Sequence, residues 1–271
     1  MPGTEEAKEI ARLTHQLRLP ALKSAIDALD LPGSSHGLDA GCGIGLQAQM
    51  LAEAVGASGR VTGVDAAKEL VEHARVLAAD ADLADRLTFR TGDVHSLPLD
   101  DDSFDWAWSA DCIGYAPMEP LPMVEELARV VRPGGTVAIL AWSHETLLPG
   151  HPALEARLRG TPAGLAPFAA GKDPSLHFLR ALGWFREIGL RDLSARTLVG
   201  DVHAPLSPDI RRALEMLFDM RWPGVESELA EAETAEYRRL CLRGSPDFIL
   251  QRPDYYAFFT YSMFSGRVPA E

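Results

Sequence analysis

His36-Gly37-Leu38-Asp39-Ala40-Gly41-Cys42-Gly43-Ile44-Gly45 is the stretch on which the reading of this chain turns. It has the pattern of a short buried strand running into a glycine-rich turn, with an acid just before the glycines. Glycines at alternate positions let the backbone approach a ligand closely and take up positive φ. A turn that cradles a pyrophosphate offers N–H groups and the positive end of a helix, so a carboxylate at its entrance would repel such a ligand. Asp39 therefore points to a ligand carrying positive charge. The spacing agrees, because Gly41-x-Gly43-x-Gly45 lacks the two residues that the dinucleotide fingerprint places before its third glycine.

Outward from this turn, strands and helices alternate. A helical segment precedes it, with Ile10, Leu13 and Leu17 on one face and Leu22, Ile26 and Leu29 on another, and Pro20 is expected to divide it. After the turn come a helix, a strand over Arg60–Asp65, a second helix, and a strand over Leu87–Thr91 that leads to Gly92-Asp93-Val94. A fourth strand over residues 104–108 leads to Ser109-Ala110-Asp111. The next helix is expected to stop at Arg132-Pro133-Gly134-Gly135. Residues 136–142 are almost wholly apolar, as suits a parallel strand covered on both faces. Such alternation implies a parallel sheet with right-handed crossovers.

Beyond Trp142 the rhythm changes. Residues 143–175 read as a loop-rich connection, followed by a helix over 176–188 and a strand over 193–202. Ser207-Pro208-Asp209 is a strong helix start. An acidic helix over 225–242 and an aromatic strand over 255–263 close the chain.

Composition bounds the partners. A formal net charge of −13 argues against a nucleic-acid backbone, which is normally met by clustered Lys and Arg. No apolar stretch reaches membrane-spanning length, and the first residues lack a secretory pattern. Cys42, Cys112 and Cys241 are too scattered for a disulfide framework or a zinc site. A cytoplasmic protein is expected.

Taken together, the Asp39–Gly45 stretch, Asp65, Asp93 and the Arg132–Gly135 turn before a strand resemble class I S-adenosylmethionine-dependent methyltransferases. The resemblance is to the small-molecule branch that includes the ubiquinone and menaquinone biosynthesis enzymes, and it is strongest over residues 36–142. It implies an α/β, doubly wound, seven-stranded and mostly parallel sheet whose last strand is antiparallel and inserts between the fifth and sixth. Residues 1–271 then form one domain, with residues 1–30 as an amino-terminal helical lid and 203–253 as a helical insertion between the last two strands. The cofactor implied is S-adenosylmethionine and the partner a small-molecule methyl acceptor.

Site residues follow position by position. Gly41, Cys42, Gly43 and Gly45 would surround the methionine part, with Asp39 near its ammonium through water or a neighbouring amide. Asp65, with Ala66 beside it, closes the second strand where a carboxylate can accept ribose hydroxyls, in line with ligand binding at the carboxyl ends of such strands. A helix cap is the plainer role for that acid. Asp93 and Val94 would meet the adenine, and Ser109 and Ala110 the methionine end.

Ser109-Ala110-Asp111-Cys112 departs from the pattern of transferases acting on nucleic-acid bases. Ser143-His144-Glu145 lacks the acidic pair that holds magnesium in catechol-type enzymes. A metal-independent transfer to oxygen, nitrogen or carbon remains, driven by alignment that is worth roughly 7–11 kcal/mol when well arranged. A non-catalytic cofactor-binding module is the alternative, and a nicotinamide-dependent oxidoreductase the weaker one.

His144 and Tyr115, just past the fifth and fourth strands, are the residues placed to take a proton or orient the acceptor. His15 joins them if the first helix folds over the cofactor. Residues 1–30, 143–175 and 203–253 are expected to form a lid, with Phe168, Phe218 and Trp222 lining an apolar pocket.

Overall fold

Alternation along the middle strands sorts side chains onto the two faces of a sheet. Trp106, Trp108, Ala138 and Leu140 pack into one core with Leu13, Leu17, Leu51 and Val71. Ala107, Val137, Ile139 and Ala141 pack into the other with Val124, Leu127, Trp184 and Phe185. Period-two side-chain direction produces this division, and it is why residues 136–142 carry almost no polar group.

The computed structural model describes residues 4–114, 119–165 and 173–270. In chain order its elements are α1 (Thr4–Leu29), β1 (His36–Ala40), α2 (Leu46–Ala54), β2 (Arg60–Asp65), α3 (Lys68–Asp80), β3 (Leu87–Thr91), β4 (Phe104–Ala110) and α4 (Pro120–Val130). They continue as β5 (Val131–Thr146), α5 (Pro152–Arg159), α6 (Pro162–Leu165), α7 (Ala181–Glu187), β6 (Arg191–His203), α8 (Pro208–Arg221), α9 (Glu231–Cys241) and β7 (Tyr256–Arg267). The strands form one seven-stranded sheet in the order β3-β2-β1-β4-β5-β7-β6. β7 runs antiparallel between β5 and β6, and the β1–β5 pairings are parallel. The α/β architecture and the place of the last strand are those expected from the sequence.

Four local expectations differ. Pro20 does not divide the first helix, which runs through it with Leu17, Ala21, Leu22 and Ala25 all buried. Packing of α1 on α8, β6 and α2 offsets the backbone hydrogen bond that proline removes. The Arg132–Gly135 segment falls inside β5 as an irregularity: Val131 stands opposite Phe104, and the register resumes at Thr136 opposite Trp106. β5 also continues past Trp142 to Thr146, because the antiparallel ladder to β7 carries it on to the Thr146–Phe258 pair. Finally, residues 143–165 are not loop-rich, since they hold the end of β5 together with α5 and α6.

Candidate functional site

The glycine turn joins β1 to α2, and Gly41, Gly43 and Gly45 all have positive φ. Four of its amides are directed inward. Gly41 and Cys42 N–H donate to the Val64 carbonyl at 2.8 and 3.0 Å, Gly43 N–H to Asp65 Oδ2 at 2.8 Å, and Gly45 N–H to the Cys42 carbonyl at 2.9 Å. A phosphate cradle needs such amides turned outward. These four are not turned out for one.

Asp39 lies beneath the turn and is only 2% exposed. Burial, followed by the charge of Asp65, pushes its pKa up to about 7, partly opposed by a hydrogen bond from the Ala48 amide. Its Oδ2 has no hydrogen-bond partner among the described residues. Asp65, at the end of β2, is half-buried and also takes the Ala67 N–H on Oδ1 at 2.9 Å. It is therefore the fastener between turn and second strand. Ala66 beside it is exposed.

Asp93 follows β3, and its Oδ1 accepts from both the backbone N–H and the Nδ1 of His95 at 2.9 Å, which lowers its pKa. Its side chain is 67% exposed, while Val94 is buried. Ser109 is buried, and its hydroxyl donates to the Ala40 carbonyl at 2.7 Å, tying β4 to β1. Its side chain serves the sheet rather than an open site.

A cavity of about 150 Å³ opens over the turn, walled by Gly41, Cys42, Gly43 and Ala110 and by His15 and Arg18 from α1. Helix α1 thus lies against the glycine turn. Arg18 donates to Asp111 Oδ2 at 2.7 Å and to the Thr14 carbonyl and hydroxyl at 3.1 and 3.0 Å. Tyr261 of β7 donates its hydroxyl to the same Asp111 oxygen at 2.7 Å, and the Trp142 N–H takes the other oxygen at 2.9 Å. His15 is mostly buried, and burial together with the Arg18 charge pulls its pKa down to about 4, so it is neutral at pH 7.

Sequence reasoning named His15 but missed Arg18, Asp111 and Tyr261 as a group. One signal was available, an acid directly after β4. The partners that fix it come from the first helix and the last strand, and no local pattern joins those.

His144 is exposed and stands opposite Thr260 on the β5–β7 ladder. It lines a second cavity at the end of β5, which shares no wall residue with the cavity over the glycine turn. Partial desolvation and then the Arg159 charge lower its pKa. Tyr115 and Phe168 lie outside the described residues. Phe218 and Trp222 are buried and packed together with ring centroids 5.6 Å apart, and Trp222 also forms a wall of the second cavity.

The family model described as a methyltransferase domain matches residues 38–135. The chain is 31% identical over 212 residues to the 27-O-demethylrifamycin SV methyltransferase of Amycolatopsis mediterranei, covering 77% of this chain and 70% of that protein. It is 35% identical over 118 residues to the chloroplastic tocopherol O-methyltransferase of Arabidopsis thaliana, covering 44% of this chain and 33% of the relative. The chain spans 32% to 42% of the length of four curated relatives it matches. Among solved structures, a phosphoethanolamine N-methyltransferase of Haemonchus contortus, in complex with phosphomonomethylethanolamine and S-adenosylhomocysteine, superposes with a TM-score of 0.58. That match is 14% identical and covers 99% of this chain and 58% of the other, a likeness of fold.

Proposed function

Since this chain belongs to the class I S-adenosylmethionine-dependent methyltransferases, we propose that it transfers the methyl group of that cofactor to a small organic acceptor. The observation that carries this reading is the inward direction of the turn's amides above the buried Asp39. With those amides spent, carbonyl oxygens and a carboxylate behind them favour an ammonium group over a phosphate. Arg18 in the opposite wall suits the carboxylate of the same amino-acid end. The two charges flank the glycine turn in the manner an α-amino acid zwitterion requires, and the residues present fit the cofactor.

In this reading Gly41, Cys42, Gly43, Gly45 and Ala110 surround the methionine portion, and Asp39 acts from beneath the turn. Each Asp65 oxygen has a second lone pair beyond the one used by a backbone amide, which leaves it able to accept ribose hydroxyls beside Ala66. The exposed Asp93, with Val94, receives the adenine. Ser109 contributes by holding β4 against β1. When bound, S-adenosylmethionine supplies a methyl group on a cationic sulfur. The protein's part is to align the acceptor, exclude water and take up a proton, the last by His144, with Tyr115 orienting the acceptor. The lid is formed by α1 and by the segments around α5 and α8.

No helix among the described residues is long and apolar enough to cross a membrane. The three cysteines are free thiols, which supports a cytoplasmic setting. Calorimetry with S-adenosylhomocysteine tests the reading, and binding that Asp65→Ala strongly weakens is expected. A chain that ignores this ligand and binds NAD overturns it. A methyl-transfer screen with labelled cofactor against phenols, quinones, amines and acids then separates an enzyme from a binding module.

A further inference from the structure

The cavity at the end of β5 is not accounted for by the cofactor. It encloses about 190 Å³, and its walls include Ser143, His144, Glu145, Arg159, Leu165 and Trp222. Strand register fixes its position. Ala110 stands opposite Leu140, and the advance along β5 from Leu140 to His144 is roughly 13 Å at the rise of a strand. The cavity therefore lies beyond the carboxyl edge of the central strands, on the side where ligands enter such sheets.

Its polar groups divide into those already engaged and those still open. Glu145 accepts from Arg221 at 2.7 Å and from the Trp142 indole N–H. Ser143 Oγ is paired with Thr260 Oγ1 at 2.9 Å. What remains is one donor. Trp222 is 2% exposed, and its indole N–H has no acceptor among the described residues. Arg159 is a further cation of the wall, itself engaged by Glu155 Oε1 at 3.1 Å and by the Glu145 carbonyl. A buried indole N–H normally has an acceptor, and a ligand oxygen would supply one. A protonated amine has no lone pair to receive that N–H, and it would find the nearby carboxylates of Glu145 and Glu155 already engaged by arginines.

We infer that this cavity is the acceptor subsite and that it takes an oxygen nucleophile carried on a planar ring, a phenol or an enol, in preference to an amine. The inference rests on the methyl-transfer reading. The size is appropriate, since an apolar cavity of about 150 Å³ holds a benzene ring. The position of His144 in the wall gives the proton a destination. In the balanced step the acceptor hydroxyl gives its proton to the His144 imidazole, its oxygen bonds the methyl carbon, and the electrons of the broken carbon–sulfur bond stay with sulfur.

Calorimetry in the presence of saturating S-adenosylhomocysteine tests this with two probes of similar shape, 1-naphthol and the protonated amine 1-naphthylmethylamine. Naphthol is expected to bind at least roughly tenfold more tightly. Trp222→Phe removes the N–H while keeping an aromatic wall, and should weaken naphthol roughly threefold to tenfold without weakening the amine. Should that variant fail to fold, Leu165→Trp at an exposed wall position fills the cavity and should abolish naphthol binding. Equal affinity for the two probes, or naphthol binding that survives Leu165→Trp, overturns the inference. A protein that binds naphthol as described but not S-adenosylhomocysteine fails the methyl-transfer reading instead, so the two failures are distinct.

Discussion

The Asp65 carboxylate accepts the Gly43 amide at 2.8 Å, so the acid that closes the second strand also holds the glycine turn in shape. A single residue thereby couples the fold of the turn to the proposed ribose contact. The amides of Gly43 and Ala67 both depend on it.

Asp65→Ala should accordingly lose stability as well as affinity. Two partly buried amides without an acceptor cost about 1–3 kcal/mol each at most, readable as a lower denaturant midpoint. Asp65→Asn keeps one carbonyl oxygen and should fall between Ala and wild type in both stability and S-adenosylhomocysteine affinity. An alanine variant with unchanged stability would show that these hydrogen bonds carry little.

Gly43 and Gly45 differ in kind. A Cβ at Gly45 would lie 2.7 Å from the Phe89 ring and 3.0 Å from Ala74, whereas a Cβ at Gly43 meets nothing within 4 Å. Both have positive φ, so alanine costs roughly 1–2 kcal/mol of backbone strain at either position. Gly45→Ala should add a packing penalty visible in thermal melts. Gly43→Ala should lower S-adenosylhomocysteine affinity far more than stability, because its methyl points into open space at the cavity wall. The same ranking in both measurements would remove Gly43 from the binding surface.

Asp39 makes stability depend on pH. The folded protein keeps its proton up to about pH 7, while the unfolded chain releases it near the ordinary carboxyl value of about 3.9. The folded state therefore holds the extra proton between those values, and its stability falls as pH rises from about 4 to 7. Asp39→Asn should melt higher than wild type at pH 8 and no higher at pH 4. Cofactor-analogue affinity of the wild type should rise through pH 7, and that rise should vanish in the variant. A melting gain of equal size at both pH values would contradict a buried carboxylate.

For His144 the sign runs the other way. A base must be neutral, and partial desolvation with the Arg159 charge keeps its proton off to lower pH than in free histidine. The acid limb of the turnover profile should therefore have its midpoint below about 6.5, and Arg159→Gln should move it upward. His144→Ala should reduce kcat with little change in S-adenosylhomocysteine affinity. Unchanged turnover in that variant would reject His144 as the base.

Legibility in the sequence followed the range of the interactions involved. β2 and β3 were readable to the residue, because β-branched and apolar runs bounded by turn residues are local signals. The continuity of α1 through Pro20 was not, because a proline's effect is local while the packing that overrides it comes from α8, β6 and α2. The far end of β5 was hidden for a similar reason. Ser143-His144-Glu145 is polar, and only the ladder to β7 makes it strand.

By itself the sequence determined the sheet and the order of its acids, Asp39, Asp65 and Asp93, since each sits at a strand end whose hydrophobic pattern is contiguous. Tertiary structure alone decided what surrounds the glycine turn. It turned the amides of Gly41, Cys42 and Gly43 inward onto Val64 and Asp65, and it brought Arg18, Asp111 and Tyr261 together from the first helix, the residue after the fourth strand and the last strand. Those three residues are joined through a shared carboxylate in a partly buried place, where leaving any one unpaired would cost the fold. Such a requirement is met by the packing of distant segments, and it leaves no periodicity to read.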